Sequence, residues 1–143
     1  MQYFAYGSNM HAAQMAQRCP EATPGQVGQL AGWRFLINQR GVATVVPDPT
    51  SAVFGVLWTL GPGDLATLDR FEGVHAGRYG RRVVHVTTGD RDARPVQLYV
   101  DHRDQPGLPR PGYMEKVLAG ATSFELPNHY LGHLSSFAVS KAQ

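Results

Sequence analysis

Apolar positions in this chain come in short runs, separated by glycine, proline and polar clusters, and most runs have the spacing of strands. Gln2 to Tyr6 holds Tyr3, Phe4 and Tyr6, and aromatics suit a pleated, half-buried surface, so a strand is expected there. Gly7 breaks it. Ser8 and Asn9 are good N-cap residues, and Met10 to Ala16 predicts a short helix that Pro20 stops. A polar, glycine-rich passage then reaches Gly28. Leu30 to Gln39 reads as a strand with Trp33, Phe35 and Ile37 on one face. Gly41 to Val46 predicts a short strand ended by Pro47 and Pro49. Ala52 to Leu60 is apolar on both faces, the pattern of a strand central to a sheet. Gly55 within it marks a bend, a bulge or a close backbone approach.

Gly61-Pro62-Gly63 ends that strand. Asp64 is placed to cap a short helix, Leu65 to Glu72, which Gly73 closes. Tyr79 to Thr88 predicts a strand and Gly89-Asp90 a turn. In Val96 to His102, the apolar Val96, Leu98 and Val100 alternate with Gln97, Tyr99 and Asp101, so one face is expected to be wet. Residues 104–112, DQPGLPRPG, predict an irregular loop, either a lid or a rigid surface segment. A helix starts at Tyr113 to Leu118. A second starts at Leu126-Pro127, with Tyr130, Leu131, Leu134 and Phe137 as its apolar side. With no repeat and no linker, the 143 residues predict one domain, 1–143, around one core.

Composition narrows the class. At 43% hydrophobic and 17% charged, the chain is globular rather than disordered. No apolar run approaches the ~20 residues of a membrane span. No basic leader precedes an apolar stretch, so no signal peptide is expected. Cys19 is the one cysteine, which excludes an internal disulfide and fits a reducing, cytoplasmic compartment. It sits before Pro20 with no histidine close in sequence, an unpromising setting for a thiol nucleophile. The net charge of +2, with arginines dispersed, leaves no nucleic-acid footprint. His129 and His133 stand four apart without a cysteine or carboxylate at ligand spacing, so surface or packing roles are expected and no metal.

Two places carry chemistry. The strand that runs through Gly7-Ser8-Asn9 into a helix leaves backbone N–H groups unpaired and aimed one way, which is an anion or oxyanion pocket or an ordinary corner. Glu72 is the other. It lies seven residues past Leu65, about 20° from the same helical line at about 100° per residue. A carboxylate thus continues the Leu65–Leu68 stripe, in a last turn where the helix dipole disfavours negative charge. Desolvation and the helix field would both raise its pKa, as a general acid–base group at neutral pH requires. A frayed end with Glu72 in solvent is the alternative.

These residues stand in ordered segments: YFAYGSN at 3–9, GVATVVP at 41–47, FGVLWTL at 54–60, LDRFEGVHAGRY at 68–79, PGYMEKVLAGA at 111–121 and ELPNHYLGHL at 125–134. Together they resemble the γ-glutamylcyclotransferase superfamily, which takes in the AIG2-like proteins, over almost the whole chain. The resemblance implies an α+β fold: a small β-barrel or strongly curved mixed sheet with surrounding helices. It implies that Glu72 is the catalytic acid–base, that Tyr6, Gly7, Ser8 and Asn9 hold the substrate, and that Tyr3, Tyr79 and Tyr113 line the pocket. The branch acting on glutathione usually has leucine where Asn9 stands, so γ-glutamyl amino acids are the implied substrates.

The implied reaction turns a γ-glutamyl amide into 5-oxoproline and a free amine. The substrate's own α-amine attacks its γ-carbonyl, so no nucleophile, metal or cofactor is required of the protein. Folding the substrate, holding an oxyanion and moving one proton suffice. A small-molecule γ-glutamyl substrate is the implied partner, with no nucleic acid and no membrane, and with a homodimer left open. Two alternatives stand beside this: a same-fold enzyme that removes γ-glutamyl from a specialised metabolite or side chain, and a binding module without turnover.

Overall fold

The computed structural model describes residues 1–90 and 92–138; residues 139–143 of the expected domain lie outside them. Among the described residues, five strands close into a barrel with four α-helices around it. β1 (Gln2–Ala5) pairs with β3 (Ala43–Thr59), β3 with β2 (Thr23–Ile37), β2 with β4 (Gly80–Thr87), and β4 with β5 (Ala93–Val100), all antiparallel. β5 closes on β1 in parallel. Five strands cannot alternate direction all the way round a ring, so one parallel pair is unavoidable. The sheet is therefore mixed, and closure removes the free edges an open sheet would expose.

Residues paired across strands share a face. Phe4 opposite Leu57 therefore points one way, and Tyr3 opposite Trp58 the other. On the first side, Phe4, Leu57 and Val86 converge over Gly28. On the second, Trp58 meets Phe124 edge-on, ring centres 5.9 Å apart. β3 lies between β1 and β2, the central position its doubly apolar run predicts. At Gly55 the β1 chain comes so close that a Cβ would fall 2.3 Å from the Ala5 carbonyl oxygen.

Several boundaries differ from the sequence pattern. β2 starts at Thr23, inside the polar, glycine-rich passage, because Thr23, Pro24 and Val27 to Ala31 pair along β3 whatever their polarity. The two strands expected around Pro47 and Pro49 are one strand. β1 covers only Val56 to Thr59 of β3, so the prolines sit where no second partner asks for their missing N–H. Asp48 accepts bonds from the Thr50 N–H (3.0 Å) and the Ser51 hydroxyl (3.0 Å), where the register between β2 and β3 shifts. The face of β5 expected to be wet is covered: Tyr99 is 2% and Asp101 1% exposed. The Tyr99 hydroxyl donates to Asp69 (2.7 Å), and Asp101 pairs with Arg40 (2.7 Å) and Arg103 (2.9 Å).

The helices are α1 (Ala12–Arg18), α2 (Asp64–Phe71), α3 (Tyr113–Ser123) and α4 (Asn128–Ala138). Ser8 and Asn9 do not cap α1. They belong to a 3-10 turn, Ser8–Met10, and the cap passes to His11, whose Nδ1 accepts from the Gln14 N–H at 3.3 Å. Asp64 is inside α2, not before it; its carboxylate accepts from the Gly61 N–H at 2.7 Å while Gly63 caps the helix. α4 buries Tyr130 and Leu134, and His129 and His133 pack edge-on against Phe54 and Phe137. Cys19 is buried against α2.

α3 is longer than expected and rests on the Ser8–Met10 turn. Gly120 permits this: a Cβ there would fall 2.4 Å from the Met10 carbonyl carbon. Gly120→Ala should therefore destabilise by about 1–3 kcal/mol. Gly132→Ala, on α4 with open space around it, should instead stabilise by about 0.5–1 kcal/mol. Urea unfolding of the two variants measures the difference, and equal midpoints would contradict this packing.

Candidate active site

β1 delivers Tyr6 and the Gly7–Asn9 turn to one end of the barrel. In the turn, the Met10 N–H donates to the Gly7 carbonyl (3.0 Å) and the His11 N–H to the Ser8 carbonyl (3.0 Å). The first amides of such a turn have no acceptor within it. Ser8 faces the Tyr113 phenol, and its amide and hydroxyl both favour the phenolate. Gly7 has φ −116°, outside the left-handed region that favours glycine. Its lack of a side chain serves space instead, since a Cβ would lie 3.1 Å from the Tyr113 hydroxyl.

Two tyrosines hold the backbone of one residue, Ala43, at the start of β3. The Tyr79 hydroxyl donates to the Ala43 carbonyl at 2.6 Å, and the Ala43 N–H donates to the Tyr113 hydroxyl at 3.0 Å. Burial pushes the Tyr113 phenol up to about 12 and Tyr79 further still, so both stay protonated.

An inner chamber of about 30 Å³ lies between these groups, room for one or two water-sized atoms. Tyr3, Tyr6, Gly7, Ser8, Asn9, Glu72, Tyr79 and Tyr113, the residues singled out from the sequence, all line it. Ala43 and Tyr99 line it too, without having been foreseen. Ala43 lies within the GVATVVP segment, but nothing local marks it; its role comes from partners 70 and 36 residues away. The chamber opens into an outer cleft of about 380 Å³, and Ser8, Glu72, Tyr79 and Tyr113 border both.

The residues gathered here do different things. The Tyr6 hydroxyl is bound to the Tyr99 carbonyl, which leaves only its ring to the chamber. Asn9, 4% exposed, donates to the Tyr3 hydroxyl (2.9 Å). Its carbonyl oxygen accepts from Gln14 (2.9 Å) and from Arg18 (3.0 Å). Arg18 lies over the Phe71 ring and reaches Glu72 at 3.5 Å. Asn9 thus positions the guanidinium beside the carboxylate. Nothing in the sequence pattern pointed to Arg18, which is 54 residues from Glu72.

Glu72 caps the C-terminus of α2 in helical geometry, its N–H bonded to the Leu68 carbonyl at 2.8 Å. The helix does not fray; Gly73, at φ 67°, turns the chain only after Glu72. The Glu72 side chain keeps 15% of its exposure. Burial raises its pKa from 4.5 to about 7, and Arg18 and Arg40 offset only part of that. Its ion pair with Arg18, at 3.5 Å, is longer than the ~2.7–2.9 Å of a charge-assisted hydrogen bond. A carboxyl that titrates near neutrality, at the wall of a chamber that the Gly7–Asn9 turn also lines, can take and return a proton within it.

Residues 52–134 match the AIG2-like family. A gamma-glutamylcyclotransferase of Bos taurus is 29% identical, over 94% of this chain and 77% of its own length. One of Homo sapiens is also 29% identical, over 90% of this chain and 73% of its own length. A solved structure of a gamma-glutamyl cyclotransferase superposes with a TM-score of 0.90 at 28% identity, covering 96% of this chain and 87% of its own. With more than half of its residues matched by the family pattern and the barrel shared with these structures, the chain belongs to the AIG2-like family.

Proposed function

We propose that the protein is a γ-glutamylcyclotransferase that converts γ-glutamyl amino acids to 5-oxoproline, in the cytosol and without a cofactor. The observation that carries this is Glu72: a carboxyl raised to about 7 that borders the same small chamber as the Gly7–Asn9 turn. The named relatives support it.

The γ-carbonyl oxygen of the substrate points into the inner chamber, and the γ-glutamyl head lies at its mouth in the outer cleft, folded so that its α-amine lies against its own γ-carbonyl. Holding that geometry removes a large part of the barrier. As the new C–N bond forms, charge develops on the carbonyl oxygen, and the amides of the Gly7–Asn9 turn stabilise it. Glu72 accepts the proton released by the attacking amine and hands it to the leaving nitrogen. The old C–N bond breaks, and 5-oxoproline and a free amine result, with no water consumed. Tyr79 and Tyr113, fixed on Ala43, wall the chamber.

Glu72→Gln keeps the shape and removes the proton shuttle. It should lower kcat for 5-oxoproline release from γ-glutamyl-alanine by ~10²–10⁴-fold; near-normal turnover would contradict this function.

The same variant tests the electrostatics. The folded pKa of Glu72, about 7, lies above its ordinary 4.5, so ionisation penalises the fold between those values. The penalty is absent below about pH 4.5 and complete above about pH 7, on the order of 3 kcal/mol. Glu72→Gln should therefore melt higher than wild type at pH 8 and close to it at pH 5. A variant that melts lower than wild type at pH 8 would mean that Glu72 is held by its ion pair.

A further inference from the structure

The outer cleft carries charge that the chemistry above does not use. Arg18, Arg40, Arg78, Arg110 and Lys116 line it, against one carboxylate, Glu72. The whole chain has 13 lysines and arginines against 11 acids, so this excess is local. Arg18 and Arg40 are matched, to Glu72 (3.5 Å) and Asp101 (2.7 Å). Among the ion pairs of the described residues, none involves Arg78, Arg110 or Lys116.

The contacts these three do make leave their charge uncompensated. Arg110 Nε–H donates to the Arg40 carbonyl at 2.8 Å, which fixes its guanidinium at the lip with its outer nitrogens free to bind. Lys116 donates to the neutral Gln14 side chain at 3.1 Å. The stem of Arg78 packs over Gly73, directly after Glu72. Like charges gathered this way repel, and an anionic ligand relieves the repulsion. Arginine forks also match carboxylates in geometry.

We propose that this cleft is a carboxylate subsite for the leaving group, and that the preferred substrates carry an acidic amino acid or peptide there, as in γ-glutamyl-glutamate. The proposal rests on the function above: if the γ-carbonyl oxygen points into the inner chamber, the departing amine projects into the outer cleft. The carboxylate of the γ-glutamyl head and the α-carboxylate of the leaving group take one cation each; three unmatched cations leave one for a side-chain carboxylate. About 380 Å³ is within the range that holds a small ligand. A leaving group ending in an ammonium, such as lysine, is repelled.

Two measurements separate the subsite from the reaction. The first is kcat/KM for 5-oxoproline release by wild type from γ-glutamyl-glutamate, γ-glutamyl-alanine and γ-glutamyl-lysine. The second is calorimetric binding of the same compounds to Glu72→Gln, which needs no turnover. Glutamate should exceed alanine by ~10-fold or more in both, with lysine lowest, and the preference should shrink as salt rises. Joint replacement Arg110→Gln and Lys116→Gln should collapse the glutamate-to-alanine ratio towards one. Turnover with a wild-type ratio near one, or a ratio that survives the double replacement, overturns the subsite and leaves the function standing. A binding preference without turnover overturns the function and keeps the subsite. The absence of both overturns both.

Discussion

A carboxyl group kept from water sets the terms for the rest of this molecule. Glu72 sits where a helix ends, in a field that disfavours its charge, with one guanidinium at 3.5 Å to offset the loss of hydration. A closer, bidentate pair would stabilise the anion and return it to an ordinary carboxylate pKa. No guanidinium at all would leave a proton too firmly held. The intermediate distance leaves the pKa near neutrality, and Asn9 maintains that distance by holding Arg18 from the other side.

The barrel keeps these parts in place. Its parallel closure sets β5 against β1, and the Tyr6–Tyr99 hydrogen bond reinforces that junction beside the chamber. α3 presses on the turn through Gly120 while its first residue, Tyr113, reaches the Ala43 peptide. The carbonyl of the same residue receives Tyr79 from just before β4. Three distant pieces of chain thus meet on one backbone unit, so the chamber's shape depends on tertiary packing more than on any local turn.

That dependence explains what could be read from the sequence. β1, the centre of β3 and α2 were legible because their own side chains carry the pattern: aromatics in Tyr3–Tyr6, apolar residues on both faces of Val53–Leu57, and a Leu65–Leu68 stripe. Glu72 stood out because it breaks the chemistry of that stripe while keeping its position. Tyr79 and Tyr113 came from family resemblance, since a tyrosine opening a strand or a helix is unremarkable on its own. The polar start of β2, the passage of β3 through Pro47 and Pro49, and the burial of Asp101 were not legible. Each is decided by a partner far along the chain: the β3 ladder, the missing second neighbour, and Arg40, 61 residues away. The cations of the outer cleft were hidden for the same reason. They are dispersed in sequence and converge only when the barrel closes.

The central claim is that burial holds the Glu72 carboxyl near neutrality. Its most direct test is a carbon-13 NMR titration of that side chain in the intact protein, assigned with Glu72→Gln. The account predicts a midpoint close to 7. A midpoint near the 4.5 of an ordinary glutamate would show that Glu72 is solvated or firmly ion-paired, and would contradict it.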